Sequence, residues 1–214
     1  MLDKYKLVCF DMDGTLITNT NSVKYLCKIN DNLDEVLKIK QMEEKDMLSW
    51  IKADYQKAKL IKGLHLDEAY KRFDKEIRLI KNIDKTINHF KSQGLKTIVV
   101  TAGPIQVANV LKRRYNFDEV YGSKFEIKDN IFTGKIIEHL GDQGKLESLL
   151  SFCNKHNIKL NQCIAIGDSE SDIKIFEKVK KSIAINYSKK LIGKANFYLK
   201  TNDISEIIKL ENEF

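Results

Sequence analysis

Residues 6–17 constrain the fold of this chain more than any other segment. They read KLVCFDMDGTLI: an apolar run, two aspartates one residue apart, and then Gly-Thr-Leu. The run 7–10 has the length and apolarity of a strand that is buried on both faces, which is typical of a parallel sheet. Open α/β sheets bind ligands at the carboxyl ends of their strands, so Asp11 and Asp13 are candidate site residues. By itself the segment is equally compatible with a strand that ends in an Asx turn.

A second acidic loop follows an apolar run much later in the chain. Residues 163–172 read CIAIGDSESD, with Asp168 directly after Gly167 and Asp172 four residues further on. If Ser169 begins a helix, Asp168 is its N-cap and Asp172 lies in its first turn. Alone, the two acids would be explained as helix-start carboxylates that answer the helix dipole.

Two more segments lie between these loops. Residues 96–104 read KTIVVTAGP, a β-branched run followed by the hydroxyl of Thr101, and Gly144-Lys145 opens an apolar-periodic segment. Thr101 alone is more often a helix N-cap before Pro104, and a lysine alone is more often exposed. Structural roles of this kind explain each residue separately, but they do not predict polar groups after three separate apolar runs. We therefore favour a catalytic site.

Length, composition and charge restrict the kinds of protein that this chain can be. The chain has 214 residues, 43% of them hydrophobic, which is enough for one main core and a small appended domain. No apolar run is long enough for a transmembrane helix, and the net charge of +7 is spread without a long basic block. The four cysteines form no C-x-x-C pair. We therefore expect a cytoplasmic protein that binds neither membrane nor nucleic acid.

The pattern along the chain predicts an α/β fold with a doubly wound parallel sheet and a small inserted helical domain. Residues 18–81 lack strand-like runs and have helical periodicity, whereas strands and helices alternate from Ile83 onward. The predicted domains are a core of residues 1–17 and 82–214 and a helical cap of residues 18–81. The later predicted elements are helix 84–92, strand 97–100, a helix from Pro104 to Arg114, strand 117–121, a hairpin of 125–127 and 132–137 around Asp129-Asn130, helix 144–157, strand 163–166, helix 171–179, strands 182–185 and 197–199, and helix 204–210.

These four segments, in this order, resemble the four motifs of the haloacid dehalogenase superfamily of phosphatases and phosphotransferases. The Asp-x-Asp-Gly-Thr-Leu segment at 11–16 and the Gly-Asp-x-x-x-Asp segment at 167–172 carry most of the likeness. The position of the insertion, between the first and second motifs, is similar to that of the C1-type cap in the phosphoserine phosphatase-like branch. The resemblance covers nearly the whole chain and implies a Rossmann-like core.

The resemblance implies a Mg²⁺-dependent phosphomonoester hydrolase that acts on a small phosphorylated metabolite through a phospho-aspartate. It makes Asp11 the nucleophile and Asp13 the acid and base; Thr101 would bind a phosphoryl oxygen, and Lys145 would pair with Asp11. The implied metal ligands are Asp11, Asp168 and the backbone carbonyl of Asp13, with Asp172 as a direct or indirect partner of the metal and a partner of Lys145. In the core, the expected substrate-binding residues are Ala102 and, through their backbone N–H groups, Met12 and Gly103. In the cap, they are Thr20, Trp50 and Lys57, and Asn19, Asp54 and Tyr55 are expected nearby. A monomer or homodimer is expected.

Several positions depart from the phosphoserine phosphatase pattern. Thr20 stands where those enzymes have a glutamate for the serine ammonium, and Lys57 stands near their arginine for the carboxylate. Thr101-Ala102-Gly103 replaces Ser-Gly-Gly, and Ser171 replaces an asparagine. A phosphoserine phosphatase proper and a phosphotransferase or mutase therefore stay as alternatives. A binding protein on the same scaffold is disfavoured because no motif residue is missing.

Overall fold

The computed structural model describes residues 4–213, and these residues form seven strands and nine α-helices. The strands are β1 Leu7–Phe10, β2 Lys96–Pro104, β3 Glu119–Lys128, β4 Ile131–Glu138, β5 Cys163–Gly167, β6 Lys181–Ile185 and β7 Phe197–Leu199. The helices are α1 Ser22–Ile29, α2 Leu33–Glu44, α3 Trp50–Lys59, α4 Leu66–Lys71, α5 Phe73–Glu76, α6 Ile83–Ser92, α7 Ile105–Tyr115, α8 Asp142–Lys155 and α9 Ile173–Phe176.

The strands of residues 4–213 make one sheet in the order β4-β3-β2-β1-β5-β6-β7. All neighbouring strands are parallel except β3 and β4, which form an antiparallel hairpin. Strand β1 is central, with Leu7 opposite both Lys96 of β2 and Cys163 of β5. The predicted α/β fold with a doubly wound, mostly parallel sheet is confirmed.

The apolar run of β1 is buried throughout because helices cover both faces of the sheet. Val8 and Phe10 belong to a hydrophobic cluster on one face, where the Phe10 ring lies 5.7 Å from that of Phe117. Leu7 and Cys9 belong to a second cluster on the opposite face, which also contains residues of α8. Alternation of side chains along an extended strand sends successive residues into these two layers.

Most predicted elements are present, and the hairpin has the expected turn. Asp129 and Asn130 have φ values of 49° and 63°, so both central residues are left-handed, as a two-residue turn of the primed type requires. Strand β2 continues to Pro104, beyond the predicted end at Val100, with a register irregularity between these two residues. Thr101 is therefore part of a strand and not a helix cap.

Two predicted helices differ from the structure. In place of helix 171–179 the chain forms a 3₁₀ helix over Glu170–Asp172 and then α9, because the Asp172 carboxylate binds backbone N–H groups of its own loop and tightens the turn. In place of helix 204–210 the chain forms a 3₁₀ helix over Ile204–Glu213. The Asp203 carbonyl accepts the N–H of Glu206, a bond of i→i+3 spacing that begins the 3₁₀ turn.

Helices α1 to α5 lie between β1 and α6 in the chain, and α3 packs against β4. The two segments that join them to the sheet run side by side: Thr18 N–H donates to Arg78 O and Ile80 N–H donates to Leu16 O, both at 2.9 Å. At the hairpin, Gly63 N–H donates to Phe132 O at 2.9 Å.

Within residues 4–213 we find no helix with the length and apolar character that crossing a membrane requires.

Candidate active site

The candidate site lies at the carboxyl ends of three adjacent parallel strands. Asp11 follows β1, Asp168 follows β5, and Thr101 lies near the end of β2. The order β2-β1-β5 brings these ends to one edge of the sheet, as the sequence predicts. A cavity of about 580 Å³ opens there and is lined by these residues and by Asp13.

Lys145 is a fully buried cation held between two carboxylates. Its Nζ donates to Asp11 Oδ1 at 2.7 Å, to Asp172 Oδ1 at 2.6 Å and to Ser171 Oγ at 3.2 Å. Burial alone lowers the pKa of Lys145, but the two carboxylates outweigh it and hold the pKa above its ordinary value. The ammonium therefore stays charged and fixes the orientation of the Asp11 carboxylate.

Burial, with added repulsion from Asp172, raises the pKa of Asp11 to about 7 against the opposing attraction of Lys145. Lys145 binds one oxygen of Asp11. Among the described residues no donor binds the other oxygen, so it is free to react.

Asp13 is bound by Ser22, the first residue of α1. Ser22 N–H donates to Asp13 Oδ1 at 2.7 Å, and Ser22 Oγ donates to Asp13 Oδ2 at 2.5 Å. Burial raises the pKa of Asp13 to about 6, while the two bonds from Ser22 oppose that rise. A carboxyl group with this pKa is suited to both giving and taking a proton near neutral pH. Sequence analysis missed Ser22, because nothing in the local pattern connects it with Asp13.

The loop after β5 is organised around Asp172. Its Oδ2 accepts the N–H groups of Asp168 and Ser169, each at 3.1 Å, while its Oδ1 binds Lys145. Ser169 is the residue that caps the following 3₁₀ helix, so the prediction of Asp168 as N-cap is wrong by one residue. The carboxylate of Asp168 is consequently not used in capping.

The carboxylates here fit a hard divalent cation. Oxygen atoms of Asp11, Asp168 and Asp172 lie within 4.8 Å of one another, and Asp168 Oδ1 is buried without a hydrogen-bond partner. Burial raises the pKa of Asp168 to about 9, with Asp11 and Asp172 adding repulsion. Buried carboxylates crowded in this way need a compensating cation, and oxygen donors are those that Mg²⁺ prefers. The Asp13 carboxylate is outside this group.

Gly14 and Gly103 have no side chain, and neighbouring polar side chains occupy the space that a Cβ at these positions would need. A Cβ on Gly14, which has φ +87°, would lie 2.1 Å from Asp168 Oδ2. A Cβ on Gly103 would lie 2.3 Å from Ser22 Oγ and 2.7 Å from Asp13 Oδ2. The DxDGT segment and the Thr-Ala-Gly segment therefore need glycine because acidic loops pass directly over them.

The second predicted motif is buried and internally bonded. Thr101 Oγ1 accepts the N–H of Gly103 at 2.9 Å, and Ser123 Oγ donates to the carbonyl of Ala102 at 2.6 Å. The Gly103 N–H, an expected phosphate donor, is thus engaged by Thr101 in this structure. The side chain of Met12 is fully buried in the core, which leaves only its backbone for ligand binding. The roles of these residues toward a substrate stay predictions.

Thr20, Trp50 and Lys57, predicted from the helical insertion, line the same cavity. The Lys57 ammonium is already paired with Glu43 at 2.9 Å and with Asp54 at 3.3 Å. Sequence analysis did not predict these two ion pairs. One joins residues of different helices, and the other joins residues on successive turns of α3.

Asp54 also connects the insertion to the rest of the molecule. Its Oδ2 lies 3.0 Å from Nε2 of His139, the residue after β4. The His139 ring lies 5.3 Å from Trp50 and stacks on Tyr55, which is exposed and outside the cavity lining. The side chain of Asn19 hydrogen-bonds Glu76 O and Arg78 N–H, so it fixes the joining segment. His139 carried no sequence signal.

The chain is similar to known proteins over most of its length. A model of the family described as haloacid dehalogenase-like hydrolase matches residues 8–177. A phosphoserine phosphatase of Methanocaldococcus jannaschii is 28% identical over 210 residues, 98% of this chain and 99% of the relative. A phosphoserine phosphatase of Archaeoglobus fulgidus is 25% identical, and the match covers 98% of this chain and 61% of that relative.

Solved structures have the same architecture. A phospho-aspartyl intermediate analogue of phosphoserine phosphatase is similar with a TM-score of 0.84 and 26% identity, covering 96% of this chain and 98% of that chain. A HAD family hydrolase from Salmonella enterica serovar Typhi has a TM-score of 0.89 over 98% of this chain and 72% of that chain; at 22% identity it shows the fold alone. With its family match, its sheet and its acidic loops together, the chain belongs to the haloacid dehalogenase-like hydrolases.

Proposed function

We propose that this protein is a Mg²⁺-dependent phosphomonoester hydrolase that acts on a small phosphorylated metabolite. The observation that carries the proposal is the arrangement around Asp11. One of its oxygens is bound by the buried Lys145, and Asp13 and Asp168 line the same cavity. The similarity to phosphoserine phosphatases supports the same reaction class.

The reaction divides into two steps on Asp11. The free carboxylate oxygen attacks phosphorus, the bond from phosphorus to the ester oxygen breaks, and Asp13 gives its proton to the departing alcohol. In the second step Asp13 takes a proton from water, and this water attacks the phosphorus of the aspartyl phosphate. Inorganic phosphate leaves and the Asp11 carboxylate is restored.

The neighbouring residues orient these two acids. Lys145 is 2.7 Å from Asp11 Oδ1 and offsets the charge that gathers on the phosphorylated aspartate. Ser22 holds both oxygens of Asp13 and so sets the direction of proton transfer. Thr101 is proposed to bind a phosphoryl oxygen, with Ala102 and the backbone N–H groups of Met12 and Gly103 beside it.

Asp11, Asp168 and the backbone carbonyl of Asp13 would hold Mg²⁺, whose charge offsets the repulsion between the acids and a phosphate. The orphaned Oδ1 of Asp168 supports this assignment. Asp172 is expected as a direct or an indirect partner of the metal and as a partner of Lys145. Both of its oxygens already accept hydrogen bonds, which supports the indirect role.

A phosphoserine phosphatase proper is the second candidate, favoured by the names of the relatives. Against it, Thr20 supplies no charge for an ammonium, and Lys57 is already paired with two acids. A phosphotransferase using the same aspartyl phosphate would differ in forming a phosphorylated acceptor instead of free phosphate.

We retain the division into a core of residues 1–17 and 82–214 and a cap of residues 18–81. The side-by-side joining segments at Thr18 and Ile80 support these boundaries; residues 1–3 and 214 lie outside the described residues. A cytoplasmic location and a monomeric or homodimeric state stay predictions.

Phosphate release from a panel of phosphomonoesters, with Mg²⁺ and with EDTA, tests the function. We expect Mg²⁺-dependent release and a loss of at least about 10³-fold in Asp11→Asn, since a neutral amide cannot attack phosphorus. Intact-mass spectrometry of acid-quenched wild type should detect a phosphorylated protein, and the variant should lack it. The same phosphate release from Asp11→Asn as from wild type would refute the mechanism, and activity without release of phosphate to water would indicate a transferase.

A further inference from the structure

The end of the cavity that faces the helical insertion is rich in lysine. The 580 Å³ cavity extends from the acidic loops to Lys24, Lys40 and Lys57, with Glu43 and Asp54 among them. A smaller cavity of about 70 Å³ adjoins it and is lined by the same three lysines, Glu43, Asn21 and Val36. The alcohol part of a phosphomonoester bound at Asp11 would extend toward this end.

The acids at this end already have partners. Glu43 and Asp54 share the buried Lys57, and Asp54 also binds His139. Lys40 has a weak, exposed pairing with Glu44 at 3.4 Å. An ammonium group on a substrate would therefore have to compete with Lys57 for a carboxylate.

Lys24 differs from the other two lysines. It lines both cavities, and its ammonium makes no ion pair with any described residue. It lies on α1 two residues after Ser22, which binds the proton donor Asp13. The Asn21 side chain accepts the Lys24 N–H at 2.7 Å and so fixes the start of this helix. A partly buried, unpaired cation beside the alcohol part of the substrate attracts an anion.

We infer that the enzyme selects phosphomonoesters whose alcohol carries a second anionic group, a carboxylate or another phosphate, and that Lys24 binds this group. The inference rests on the proposed phosphatase function. It names the class of substrate and excludes leaving groups whose only charge is an ammonium.

Phosphomonoesters of small alcohols test the charge preference. We would compare kcat/KM for the two-carbon esters 2-phosphoglycolate, ethyl phosphate and phosphoethanolamine, whose alcohol parts carry an anion, no charge and a cation, and for the three-carbon O-phosphoserine, whose alcohol part carries both charges. The value for 2-phosphoglycolate should exceed that for ethyl phosphate by about tenfold or more, because a hydrogen bond to a charged group contributes on that scale. Phosphoethanolamine should be the poorest. Comparing 1,3-propanediol bisphosphate with propyl phosphate tells whether a second phosphate serves as well as a carboxylate.

Lys24→Met assigns the effect to one residue. It should lower the ratio of kcat/KM for 2-phosphoglycolate to kcat/KM for ethyl phosphate to about one. Lys52→Met is the matched control, since Lys52 is an exposed lysine of the insertion outside both cavities and should keep the preference.

Three results separate the inference from the function on which it rests. Equal kcat/KM for 2-phosphoglycolate and ethyl phosphate, or an unchanged ratio in Lys24→Met, refutes the inference and leaves the phosphatase standing. A phosphoethanolamine value above that of 2-phosphoglycolate means that a cation on the alcohol is favoured over an anion, and the inference is again wrong. Hydrolysis of none of these esters, with Mg²⁺ present, refutes both.

Discussion

At the scale of single residues, the site combines buried carboxylates that have a cationic partner with one that has none. Lys145 forms ion pairs with Asp11 and Asp172, but Asp168 has no cationic partner among the described residues, and its buried Oδ1 has no donor. Removing an acid is therefore expected to have opposite effects at different positions. Loss of Asp172 would remove a partner of Lys145 and the acceptor of two loop N–H groups, whereas loss of the charge of Asp168 would relieve repulsion.

Asp168→Asn is expected to stabilise the metal-free protein and to abolish its response to Mg²⁺. The pKa of Asp168 is raised from 3.8 to about 9, so the folded protein binds more protons than the unfolded chain between these values, and this group costs increasing stability as pH rises. In EDTA at about pH 8 the variant should have the higher Tm, by about 2–4 °C for each 1 kcal/mol gained. At about pH 4 the two proteins should differ little, because the carboxyl is protonated.

Scanning calorimetry in EDTA and in Mg²⁺ measures both effects. Asp31→Asn, which removes an exposed charge outside the cavity, is the matched control and should keep the Mg²⁺ response. A lower Tm for Asp168→Asn in EDTA at the higher pH would contradict the repulsion that we describe.

Ser22→Ala tests whether Ser22 positions the proton donor. Loss of the 2.5 Å bond to Asp13 should lower kcat for ethyl phosphate by about tenfold, since an alkoxide leaving group needs a well-directed proton. The fall should be much smaller for p-nitrophenyl phosphate, whose phenolate leaves without protonation. Ser148→Ala, a helical serine bonded to Gly144 O, is the control. An equal fall for both esters would indicate general disruption of the site and not a role in proton transfer.

At the scale of elements, loops from different strands pass so closely that glycine is required between them. The segment after β1 runs under Asp168, and the segment at the end of β2 runs under Asp13 and Ser22. Ser123 of β3 supports the second segment by donating to Ala102 O and accepting the N–H of Leu140. A hydrogen bond from an adjacent strand thus fixes the position of this segment relative to the edge of the sheet.

Gly14→Ala and Gly63→Ala separate steric crowding from backbone strain. The two glycines have φ values of +87° and +88°, but a Cβ on Gly14 would meet Asp168, whereas a Cβ on Gly63 would have no atom within 4 Å. Both variants should lose stability on the order of 1 kcal/mol through the left-handed backbone. Only Gly14→Ala should also lose about 10²-fold in kcat/KM, because Asp168 must move.

Denaturant unfolding and phosphate release measure these two quantities for each variant. Unchanged kcat/KM in Gly14→Ala would mean that Asp168 tolerates displacement and does not fix the site geometry.

At the scale of the whole molecule, the cavity is enclosed by the sheet on one side and by helices α1 to α3 on the other. Polar contacts that join the two sides near the cavity include Ser22 to Asp13 and Asp54 to His139. In the proposed function, the reacting acids lie at the sheet edge, and the charges that would meet the alcohol lie on the helices. The proposal therefore assigns chemistry and selectivity mainly to separate parts of the chain.

Trp50 gives an optical measure of cavity occupancy, since it is the sole tryptophan of the sequence and lines the cavity. Ethyl phosphate bound to the inactive Asp11→Asn protein with Mg²⁺ should reduce acrylamide quenching of Trp50, because the ligand covers the ring. The control is ethane sulfonamide, a neutral additive without a phosphate. Quenching that is unchanged when ethyl phosphate has saturated a Tm shift would mean that Trp50 lies apart from the bound ligand.

The sequence by itself determined the strands and their polar ends, and it predicted Asp11 and Asp13 as the reacting acids. Continuous apolar runs specify buried strands, and parallel strands end at a common edge, so Asp11, Thr101 and Asp168 had to converge. The resemblance to a known family added the expected roles of Lys145 and of a metal ion. These features are local or follow from the topology of a parallel sheet, which is why a linear pattern can encode them.

Only the tertiary structure decided which groups are paired and which are free. Ser22 donates two hydrogen bonds to Asp13, Lys57 is paired with Glu43 and Asp54, and the Lys24 ammonium makes no ion pair within residues 4–213. Such pairings depend on the angle at which each helix of the insertion packs over the sheet. That angle is set by the fit of many apolar side chains at once, and no short segment of the sequence contains it.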